Sequence, residues 1–465
     1  MNKEKLVNHA IDKELTCFKS YDVRGEIGTS FDEAIVYKIA RALSQHLNCE
    51  KVVIGFDARE TSPGFAKSAT QGVIDSGSDA LVIGLAGVEE VYWAVTEFNA
   101  SAGIEVTASH NPINFNGLKM IKAGSVPLDN AEDFIPIKRL AEKSEWNKTG
   151  SKGEVIDISN EARKKYVKKV ISFIDPRCFK PLRVVVNSGN GAAGPTFKSI
   201  EKELILAGSK MCFSHILSKP DSSFPFGIPN PLIEKNQRIT SKAVKKEKAD
   251  LGIAFDGDFD RCFFFDENGQ FVPGEYIVGL LAEIFLKKEV NGRIVHDPRI
   301  LWNTQDIISS NNGISIVSKT GHNFFKEEMR KNSAVYGGEM SAHHYFRDFA
   351  FCDSGMITCL LILELLSNTT NSLGDLTKLR VRKFPSSGEK NFQVSDPDQC
   401  IARVFDKFKK DALIDETDGM SFSYEKWRFN IRKSNTEPLV RVNIESKGSR
   451  KLVNEKMQSI TQLIL

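Results

Sequence analysis

Hydrophobic and polar positions along the chain of 465 residues repeat one pattern three times. In each copy an apolar run is followed by a polar loop, a helix-like stretch and a second apolar run. The copies are "KVVIGFDARETSPGFAKSATQGVIDSGSDALVIGL" from Lys51, "LRVVVNSGNGAAGPTFKSIEKELILAGSKMCFSHI" from Leu182 and "GRIVHDPRILWNTQDIISSNNGISIVSKTG" from Gly292. Two strands joined through a helix of this length pair in parallel, so the pattern predicts three similar α/β domains.

The last part of the chain shows a different pattern. We interpret the segment "FPSSGEKN" as a hinge, and a charged helix-like stretch follows it. Apolar and polar residues then alternate over residues 427–431 and 440–444, which predicts two strands around a loop at residues 433–438. Asp418 and Gly419 mark a further turn. A smaller α+β domain is therefore predicted at the C-terminus.

The amphipathic segment "SNEARKKYVKKVISFI" predicts a helix that opens the second domain, near residue 156. We place Ser159 at its N-cap, and the apolar residues of one helical face are Ala162, Tyr166, Val167, Val170, Ile171 and Ile174. Domains usually contain about 100 to 200 residues. The predicted fold is therefore three similar mixed α/β domains followed by a smaller α+β domain.

Composition and charge narrow the class of protein. A hydrophobic content of 41% and a charged content of 26% are ordinary for a soluble globular enzyme, and the net charge of +3 does not favour a nucleic-acid partner. The N-terminus has no apolar core of a signal peptide, and the longest apolar runs are short and contain a glutamate, so neither secretion nor a membrane partner is expected. The eight cysteines are scattered without a C-x-x-C pair, which is typical of reduced thiols in the cytoplasm.

Candidate chemistry begins at the loop "TASHNP". Its proline biases the preceding residue toward an extended conformation, so the chain leaves the strand as a loop that can present the hydroxyl of Ser109. The segment alone is equally compatible with a turn that carries a capping serine.

A second polar loop, "AFDGDFDRC", carries Asp256, Asp258 and Asp260 on alternate residues. Carboxylates this close repel each other by about 1 to 4 kcal/mol per pair near a protein surface, which favours a hard divalent cation such as Mg²⁺. Glu267 falls at the twelfth position of an EF-hand loop, but Arg261 occupies the position that needs glycine, and both flanks are typical of strands. A solvated acidic turn is the remaining alternative.

Two further loops carry polar groups that packing does not require. In "YGGEMSAHHYF" the polar residues are Glu339, Ser341 and His343, which suit sugar hydroxyls although a satisfied loop has the same composition. In "RKSNTEP" a guanidinium fork with hydroxyl and amide groups matches a phosphate, and the alternative is a turn rich in Asn and Ser. The residues of this loop are Arg432, Ser434, Asn435 and Thr436.

The segment "GNGAAG" fits the G-x-G-x-x-G fingerprint of dinucleotide-binding proteins. That fingerprint needs an acidic residue at the end of the next strand, and "KMCFSHILSKP" supplies none before Asp221. We therefore interpret the glycines as a tight turn between a strand and a helix, and an NAD-dependent dehydrogenase remains a distant alternative.

Taken in order and at their intervals, "TASHNP", "DGDFDR", "GEMS" and "RKSNTEP" resemble the motifs of the α-D-phosphohexomutases. The segment "FKSYDVRG" is similar to the opening segment of that family, and the resemblance covers essentially the whole chain. Within the family, "SGNGAAGP", "IAFDGDFDRCFFFDENGQF", "SKTGH", "YGGEMSAHHYFRDFAFCDSGM" and "WRFNIRKSNTEP" are most similar to bacterial phosphomannomutases of the GDP-mannose pathway.

The resemblance implies that Ser109 carries a phosphoryl group in the resting enzyme. It gives this group to a sugar phosphate and takes back the other phosphate from a hexose 1,6-bisphosphate, which also serves as activator. The metal is implied to be Mg²⁺, bound by Asp256, Asp258, Asp260 and an oxygen of phosphorylated Ser109. The implied domains are a phosphoserine domain at 1–155, a metal-binding domain at 156–265, a sugar-binding domain at 266–380 and a phosphate-binding domain at 381–465.

The remaining roles are also implied by the resemblance. Near the transferred group lie Arg24, Arg261 and Lys119, of which Lys119 is the candidate general acid or base, and His110 is an alternative proton carrier. Sugar hydroxyls are bound by Glu339 and Ser341, with His343 and His322 nearby, and Arg299 stands where the family often has a lysine that touches the ligand. The phosphate that does not react is bound by Arg432, Ser434, Asn435 and Thr436.

The resulting hypothesis is a cytoplasmic phosphomannomutase that interconverts mannose 6-phosphate and α-D-mannose 1-phosphate for GDP-mannose synthesis. A phosphoglucomutase, or an enzyme that accepts both sugars, is the alternative within the family. A phosphosugar-binding protein without activity is disfavoured by the intact Ser109 and aspartate triplet. The expected partner is a small phosphosugar, and the expected oligomeric state is a monomer or a weak homodimer.

Overall fold

The computed structural model describes residues 14–19, 22–148, 150–434 and 439–465. The chain forms two compact units. The first unit contains the residues up to Gly269 together with Cys352–Asn368, and the second contains Gln270–Phe351 and Thr369–Leu465.

The first unit begins with a mixed sheet in the order β1-β5-β4-β2-β3-β7, with β6 beside β5. Strand β2 pairs in parallel with β3 and β4, whereas β5 is antiparallel to β1, β4 and β6. Its elements are β1 Val23–Glu26, α1 Glu33–His46, β2 Lys51–Phe56, α2 Ser62–Asp75, β3 Asp79–Leu85, α3 Val88–Glu97, β4 Ala102–Val106, β5 Phe115–Lys122, β6 Val126–Pro127, α4 Ile135–Lys143 and β7 Val155–Asp157.

A second sheet of the first unit has the order β11-β10-β8-β9. Strand β8 is parallel to β9 and β10, and β10 is antiparallel to β11. The elements are α5 Ser159–Ile171, β8 Arg183–Asn187, α6 Ala193–Leu206, β9 Cys212–Ile216, α7 Glu234–Glu247, β10 Leu251–Phe255 and β11 Cys262–Phe265; β17 Cys352–Asp353 and α11 Gly355–Ser367 also belong to this unit.

In the second unit, a sheet in the order β14-β13-β15-β16 has β13 parallel to β14 and β15, and β15 antiparallel to β16. A separate sheet, entirely antiparallel, has the order β18-β22-β21-β20-β19. The elements are β12 Phe271–Val272, α8 Gly274–Lys288, β13 Arg293–His296, α9 Trp302–Ser310, β14 Ile314–Val317, α10 His322–Asn332, β15 Tyr336–Gly338, β16 His344–Phe346, α12 Leu373–Lys383, β18 Ser386–Gln393, α13 Pro397–Phe408, β19 Leu413–Asp415, β20 Met420–Ser423, β21 Trp427–Lys433, β22 Leu439–Ser446 and α14 Arg450–Ile464.

The predicted fold class is confirmed. Each of the three repeated patterns forms a strand, a helix and a strand, and the two strands of each copy are parallel neighbours. The "GNGAAG" segment begins in the turn between β8 and α6 and ends in the first residues of that helix, and Gly189 adopts a positive φ of 59°. The flanks of the aspartate loop are the antiparallel strands β10 and β11, as predicted against an EF-hand.

Two local predictions were wrong. Ser159 is the first residue of α5 instead of its cap, and the N-cap residue is Ile158 without a side-chain hydrogen bond. The carboxylate of Asp157 instead accepts a hydrogen bond from the backbone N–H of Ser159. The segment interpreted as a hinge forms most of strand β18, which is hydrogen-bonded to β22 with one register shift between Ser386 and Glu389.

Helix α11 explains one of the apolar runs in the sequence. Nearly every residue of this helix is buried, on all of its faces, as expected for a helix without a polar side. Within the described ranges, no helix combines the length and the hydrophobicity that crossing a membrane would require.

Candidate active site

Ser109 lies in the loop that connects β4 to β5 in the first unit. Its backbone has a φ of 48°, in the left-handed region that costs a residue with a Cβ atom free energy and is uncommon for residues other than glycine. The hydroxyl group of Ser109 lies 3.3 Å from Oδ2 of Asp256 and 3.1 Å from Nδ1 of His110. The residue is 6% exposed, so the surrounding protein excludes most water from it.

The three aspartates lie on the connection between β10 and β11. All three are buried, and each offers a carboxylate oxygen within 4.8 Å of the others. This clustering follows from their alternation in a tight connection of two antiparallel strands. The sequence motif and the fold therefore bring Asp256, Asp258 and Asp260 together beside Ser109.

Two buried cations offset part of this negative charge. Nζ of Lys119 lies 2.9 Å from Oδ2 of Asp258 and 2.6 Å from Oδ2 of Asp260. Arg261 donates to Oδ2 of Asp256 from both Nε and Nη2, at 2.9 and 2.7 Å. The cluster thus combines three carboxylates with two cations in a site that water hardly reaches.

Arg24 and His110 complete the set predicted around Ser109. Arg24 lies on β1 and donates to the backbone carbonyl of Thr107, two residues before Ser109. Nη2 of Arg261 donates to Nδ1 of His110 at 2.8 Å, which makes this ring nitrogen an acceptor. All five predicted catalytic residues therefore lie in one cluster.

Burial and charge shift several pKa values in this cluster. Partial enclosure of the imidazole, followed by the charge of Arg261, lowers the pKa of His110, although the residue as a whole is exposed. Burial acts to lower the pKa of Lys119, but Asp258 and Asp260 together raise it above the ordinary value. The two carboxylates that it contacts therefore hold Lys119 in its charged form.

The aspartate triplet fits a hard divalent cation. Carboxylate oxygens are the ligands that Mg²⁺ prefers in proteins. Oδ1 of Asp258 is buried and makes no hydrogen bond to any described residue, which leaves an acceptor available to a ligand. An uncompensated buried acceptor costs about 1 to 3 kcal/mol, so a cation at this position would stabilise the loop.

In the second unit, Arg299 follows strand β13 and lies between three carboxylates. Its Nη2 donates to Oδ2 of Asp297 at 2.8 Å and lies 3.7 Å from Oε2 of Glu339. Its Nη1 donates to Oε2 of Glu389 at 3.3 Å. Burial acts to lower the pKa of Arg299, but these carboxylates, Asp297 foremost, raise it above the ordinary value.

The loop between β15 and β16 carries the residues predicted to bind sugar hydroxyls. Glu339 is 2% exposed; its Oε1 accepts from the hydroxyl of Tyr345 at 2.5 Å and its Oε2 from that of Ser341 at 3.4 Å. His343 lies in the same loop and is half-buried, and His322 is the first residue of α10. The structure thus brings Glu339 and Ser341 next to Arg299.

Arg432 lies near the end of β21 and binds Glu389 of β18. Its Nη2 donates to Oε2 of Glu389 at 3.0 Å, and Arg441 donates to the other oxygen at 3.4 Å. Burial acts to raise the pKa of Glu389, but Arg299, Arg432 and Arg441 lower it below the ordinary value. Ser434 follows Arg432 directly after β21, whereas Asn435 and Thr436 lie outside the described residues.

Several polar residues of these sites were missed from the sequence: Asp57, Arg59, Thr107, Asp297 and Glu389. An internal signal could have indicated three of them, because the first strand of the first copy is followed by "DAR" and that of the third copy by "DPR". In both copies the aspartate Oδ1 accepts the backbone N–H of the arginine two residues later, at 3.0 and 2.9 Å. Thr107 is the first residue of the "TASHNP" motif, which indicates its place but not its role, and nothing in the sequence pattern indicates Glu389.

The chain matches four models of one family over most of its length. Three are described as phosphoglucomutase/phosphomannomutase, alpha/beta/alpha domains I, II and III, and match residues 16–147, 164–269 and 273–384. The fourth is the phosphoglucomutase/phosphomannomutase C-terminal domain and matches residues 389–463. The chain belongs to the phosphoglucomutase/phosphomannomutase family, and it is a phosphohexomutase, an isomerase that transfers a phosphoryl group.

Curated relatives and a solved structure agree with this family. A phosphomannomutase of Escherichia coli is 47% identical over 455 residues, which cover 97% of this chain and 99% of that protein. A protein of Xanthomonas campestris pv. campestris named phosphohexose mutases is 43% identical over 453 residues, with the same coverage. The crystal structure of a phosphoglucomutase/phosphomannomutase family protein from Burkholderia thailandensis superimposes with a TM-score of 0.84 at 26% identity, over 96% of each chain.

Proposed function

We propose that the enzyme interconverts mannose 6-phosphate and α-D-mannose 1-phosphate through a phosphorylated Ser109. The observation that carries this proposal is the position of the Ser109 hydroxyl, 3.3 Å from Asp256 in a buried cluster of three carboxylates, a lysine and an arginine. The preference for mannose is supported by the relative at 47% identity, which is named a phosphomannomutase.

In the proposed reaction, phosphorylated Ser109 gives its phosphoryl group to the free hydroxyl of the sugar phosphate. The bond between the phosphorus and Oγ breaks, a bond to the sugar oxygen forms, and the product is a hexose 1,6-bisphosphate. The bisphosphate then turns around and returns its other phosphate to Ser109. The sugar hydroxyl loses a proton and Oγ gains one in the first half, and the reverse holds in the second.

Positioning and electrostatics carry such a transfer. A phosphoserine with up to two negative charges, next to three aspartates, adds up to about five negative charges, of which Lys119 and Arg261 offset two. Mg²⁺ held by the three aspartates and an oxygen of phosphorylated Ser109 would offset about two of the remaining three charges and polarise the transferred group. Lys119, which lies against two of the carboxylates, is the proposed general acid or base, and His110, whose Nδ1 lies 3.1 Å from Oγ of Ser109, is the alternative proton carrier.

The second unit supplies the proposed binding groups for the sugar phosphate. Glu339 and Ser341 bind adjacent hydroxyls, and Arg432 with Ser434 binds the phosphate that does not react. We further propose that segments 1–155, 156–265, 266–380 and 381–465 carry the phosphoserine, the metal, the sugar and the phosphate sites, respectively. A hexose 1,6-bisphosphate is the proposed activator. The proposed role of the enzyme is to supply GDP-mannose synthesis in the cytoplasm.

Replacement of the proposed nucleophile tests this function. Ser109→Ala is expected to abolish the interconversion of mannose phosphates while it leaves their binding largely intact, because the hydroxyl group carries the phosphoryl group and does not fill a core position. The measurements are turnover with Mg²⁺ and the bisphosphate present, and the intact mass of each protein.

A matched serine serves as the control. Ser172→Ala alters an exposed serine at the end of α5 and is expected to keep both activity and the mass of a phosphorylated fraction. Turnover of Ser109→Ala near that of the unmodified enzyme would contradict the proposal.

A further inference from the structure

The buried guanidinium of Arg59 binds the loop that carries Ser109. Arg59 lies between β2 and α2, is 3% exposed, and donates hydrogen bonds to four backbone carbonyl oxygens, three in this loop and one at Phe115, the first residue of β5. Nη2 donates to the carbonyls of Ser109 and Asn111 at 3.0 and 2.6 Å, and Nη1 to those of Pro112 and Phe115 at 2.9 and 3.0 Å. One side chain thus bonds to acceptors spread along the whole connection.

This loop needs such a partner because it has few backbone hydrogen bonds of its own. Within it, Asn111 donates to the carbonyl of Ala108 and Phe115 to that of Pro112, at 2.9 and 3.0 Å. The bond to the carbonyl of Ser109 is buried and the other three are partly buried. A buried carbonyl without a partner costs about 1 to 3 kcal/mol, and a guanidinium offers five N–H donors in a fixed plane. Ser109 in addition holds a left-handed backbone, a state that persists only where surrounding contacts impose it.

A second set of hydrogen bonds holds the same loop at Thr107, its first residue. The hydroxyl of Thr107 accepts from the backbone N–H of Ser109 and donates to Oδ2 of Asp57, both at 2.8 Å. Oδ1 of Asp57 accepts from the backbone N–H of Arg59 at 3.0 Å and from the hydroxyl of Ser62 at 2.6 Å. The start of α2, Asp57 and Arg59 therefore form one support for both the N–H and the carbonyl of Ser109.

We propose that Arg59 is a positioning residue for phosphoryl transfer, which sets the direction of the Ser109 hydroxyl by fixing the main chain of residues 109–115. The proposal rests on the proposed function of Ser109 as phosphoryl carrier. The hydrogen bonds of Arg59 to this loop all go to main-chain oxygens, so these bonds fix the position of the Ser109 backbone. Because it does not hold the sugar, its loss is expected to affect the chemical step more than substrate binding.

Arg59→Lys tests the proposal, because lysine keeps the charge but cannot span four carbonyls in one plane. Misplacement of a reacting group by about 1 Å costs about 100-fold in rate, so we expect kcat to fall by about that factor while KM changes less than about threefold. Hydrogen–deuterium exchange is expected to show faster exchange of the amides of residues 109–115.

Arg380→Lys is the matched control. Arg380 binds the side chain and carbonyl of Asn303 and the carboxylate of Asp306 at 2.7 to 2.8 Å, far along the chain and within the second unit. This variant is expected to lower the melting temperature without changing kcat or the exchange of residues 109–115. A kcat of Arg59→Lys within twofold of the unmodified enzyme, or unchanged exchange of the loop, overturns the proposal.

A second pair of variants keeps the test decisive where Arg59→Lys does not fold. Thr107→Val removes the hydroxyl that links Ser109 to Asp57, together with its 3.4 Å contact with Oδ2 of Asp258, and is expected to lower kcat, whereas Thr107→Ser keeps the hydroxyl and is expected to restore it. Equal activity of the two variants overturns the proposal. If the unmodified enzyme carries no phosphate on Ser109 and Ser109→Ala is active, the proposed function fails, and the exchange comparison still tests the support of the loop.

Discussion

At the scale of single residues, the guanidinium of Arg432 already has an acceptor in the protein itself. Glu389 accepts from Arg432 at 3.0 Å, and Arg299 and Arg441 bind the same carboxylate. A sugar phosphate that binds Arg432 must therefore share this guanidinium with Glu389. The three arginines remain close to each other because Glu389 reduces their mutual repulsion.

Arg432→Ala is expected to weaken phosphosugar binding by about 1.5 to 3 kcal/mol, the range for a hydrogen bond to a charged group. The phosphate on Ser109 is expected to remain, because Arg432 belongs to the proposed binding set and not to the nucleophile cluster. Calorimetry with the sugar phosphate measures the affinity, and intact mass measures the phosphate. Lys433→Ala, which removes the exposed neighbour that pairs with Asp398, is the control. Unchanged affinity in Arg432→Ala would show that its loop is only a turn.

The site residues that could be predicted from the sequence are those whose functional groups occur together in one short segment of the chain. Asp256, Asp258 and Asp260 occupy alternate positions of one short loop, so the electrostatic repulsion between their carboxylates can be predicted from the sequence alone. Arg59 and Thr107 are 48 positions apart in the numbering, and only the pairing of β2 with β4 brings their loops together. Such partners can be found from sequence only through a repeat, as with the aspartate and arginine that follow the first strands of two copies.

At the scale of elements, the aspartate loop and the Ser109 loop approach so closely that one position between them requires glycine. A Cβ atom on Gly257 would lie 2.6 Å from the carbonyl oxygen of Ser109. Gly257 does not have a positive φ, so the restriction comes from space and not from its backbone conformation. The glycine of "DGDFD" therefore permits the close approach of the Ser109 loop to the carboxylates.

Gly257→Ala is expected to push the two loops apart. We expect a loss of about 1 to 3 kcal/mol in stability from overpacking, and a fall in kcat of up to about 100-fold from misplacement of the reacting groups. Thermal unfolding and steady-state kinetics measure the two effects. Gly64→Ala is the control, since nothing lies within 4 Å of a Cβ atom there. Equal kcat values for the two variants would contradict this account of Gly257.

The elements that were predicted wrongly have tertiary causes. The segment from Ser386 to Asn391 is polar and contains a glycine, which is typical of loops, yet it is held as a strand by its pairing with β22. The repeated strand–helix–strand pattern was predictable because its strands are buried and therefore continuously apolar. Sequence composition thus predicts the apolar strands inside a sheet better than it predicts a polar strand, which forms only through pairing with its neighbour.

At the scale of the whole molecule, the choice of sugar is a property that no single named residue decides. Mannose and glucose phosphates differ only at the hydroxyl on C2, while Glu339 and Ser341 are proposed to bind the hydroxyls on C3 and C4. A site without a dedicated partner for one hydroxyl cannot strongly reject its epimer. The similarity to relatives named phosphomannomutase and phosphohexose mutases extends over 97% of the chain.

We therefore expect mannose 1-phosphate to be the better substrate, with measurable activity on glucose 1-phosphate. The measurement is kcat/KM for the two sugars with the bisphosphate and Mg²⁺ present. Ser109→Ala, measured with both sugars, controls for contaminating mutases. A clear preference for glucose would reverse the assignment of the sugar and leave the proposed phosphoryl transfer unchanged.

The attachment of the Ser109 loop through its main chain has a consequence for how freely this part of the protein can be redesigned. Arg59 bonds to carbonyl groups, which every amino acid possesses, so the shape of the loop does not depend on the side chains at several of its positions. Ile113, for example, is 54% exposed. It lies between Pro112 and Phe115, whose backbone carbonyls both accept hydrogen bonds from Arg59. Mutational libraries can therefore vary such positions to adjust solubility or to attach a spectroscopic label next to the nucleophile, while the geometry of the loop is retained.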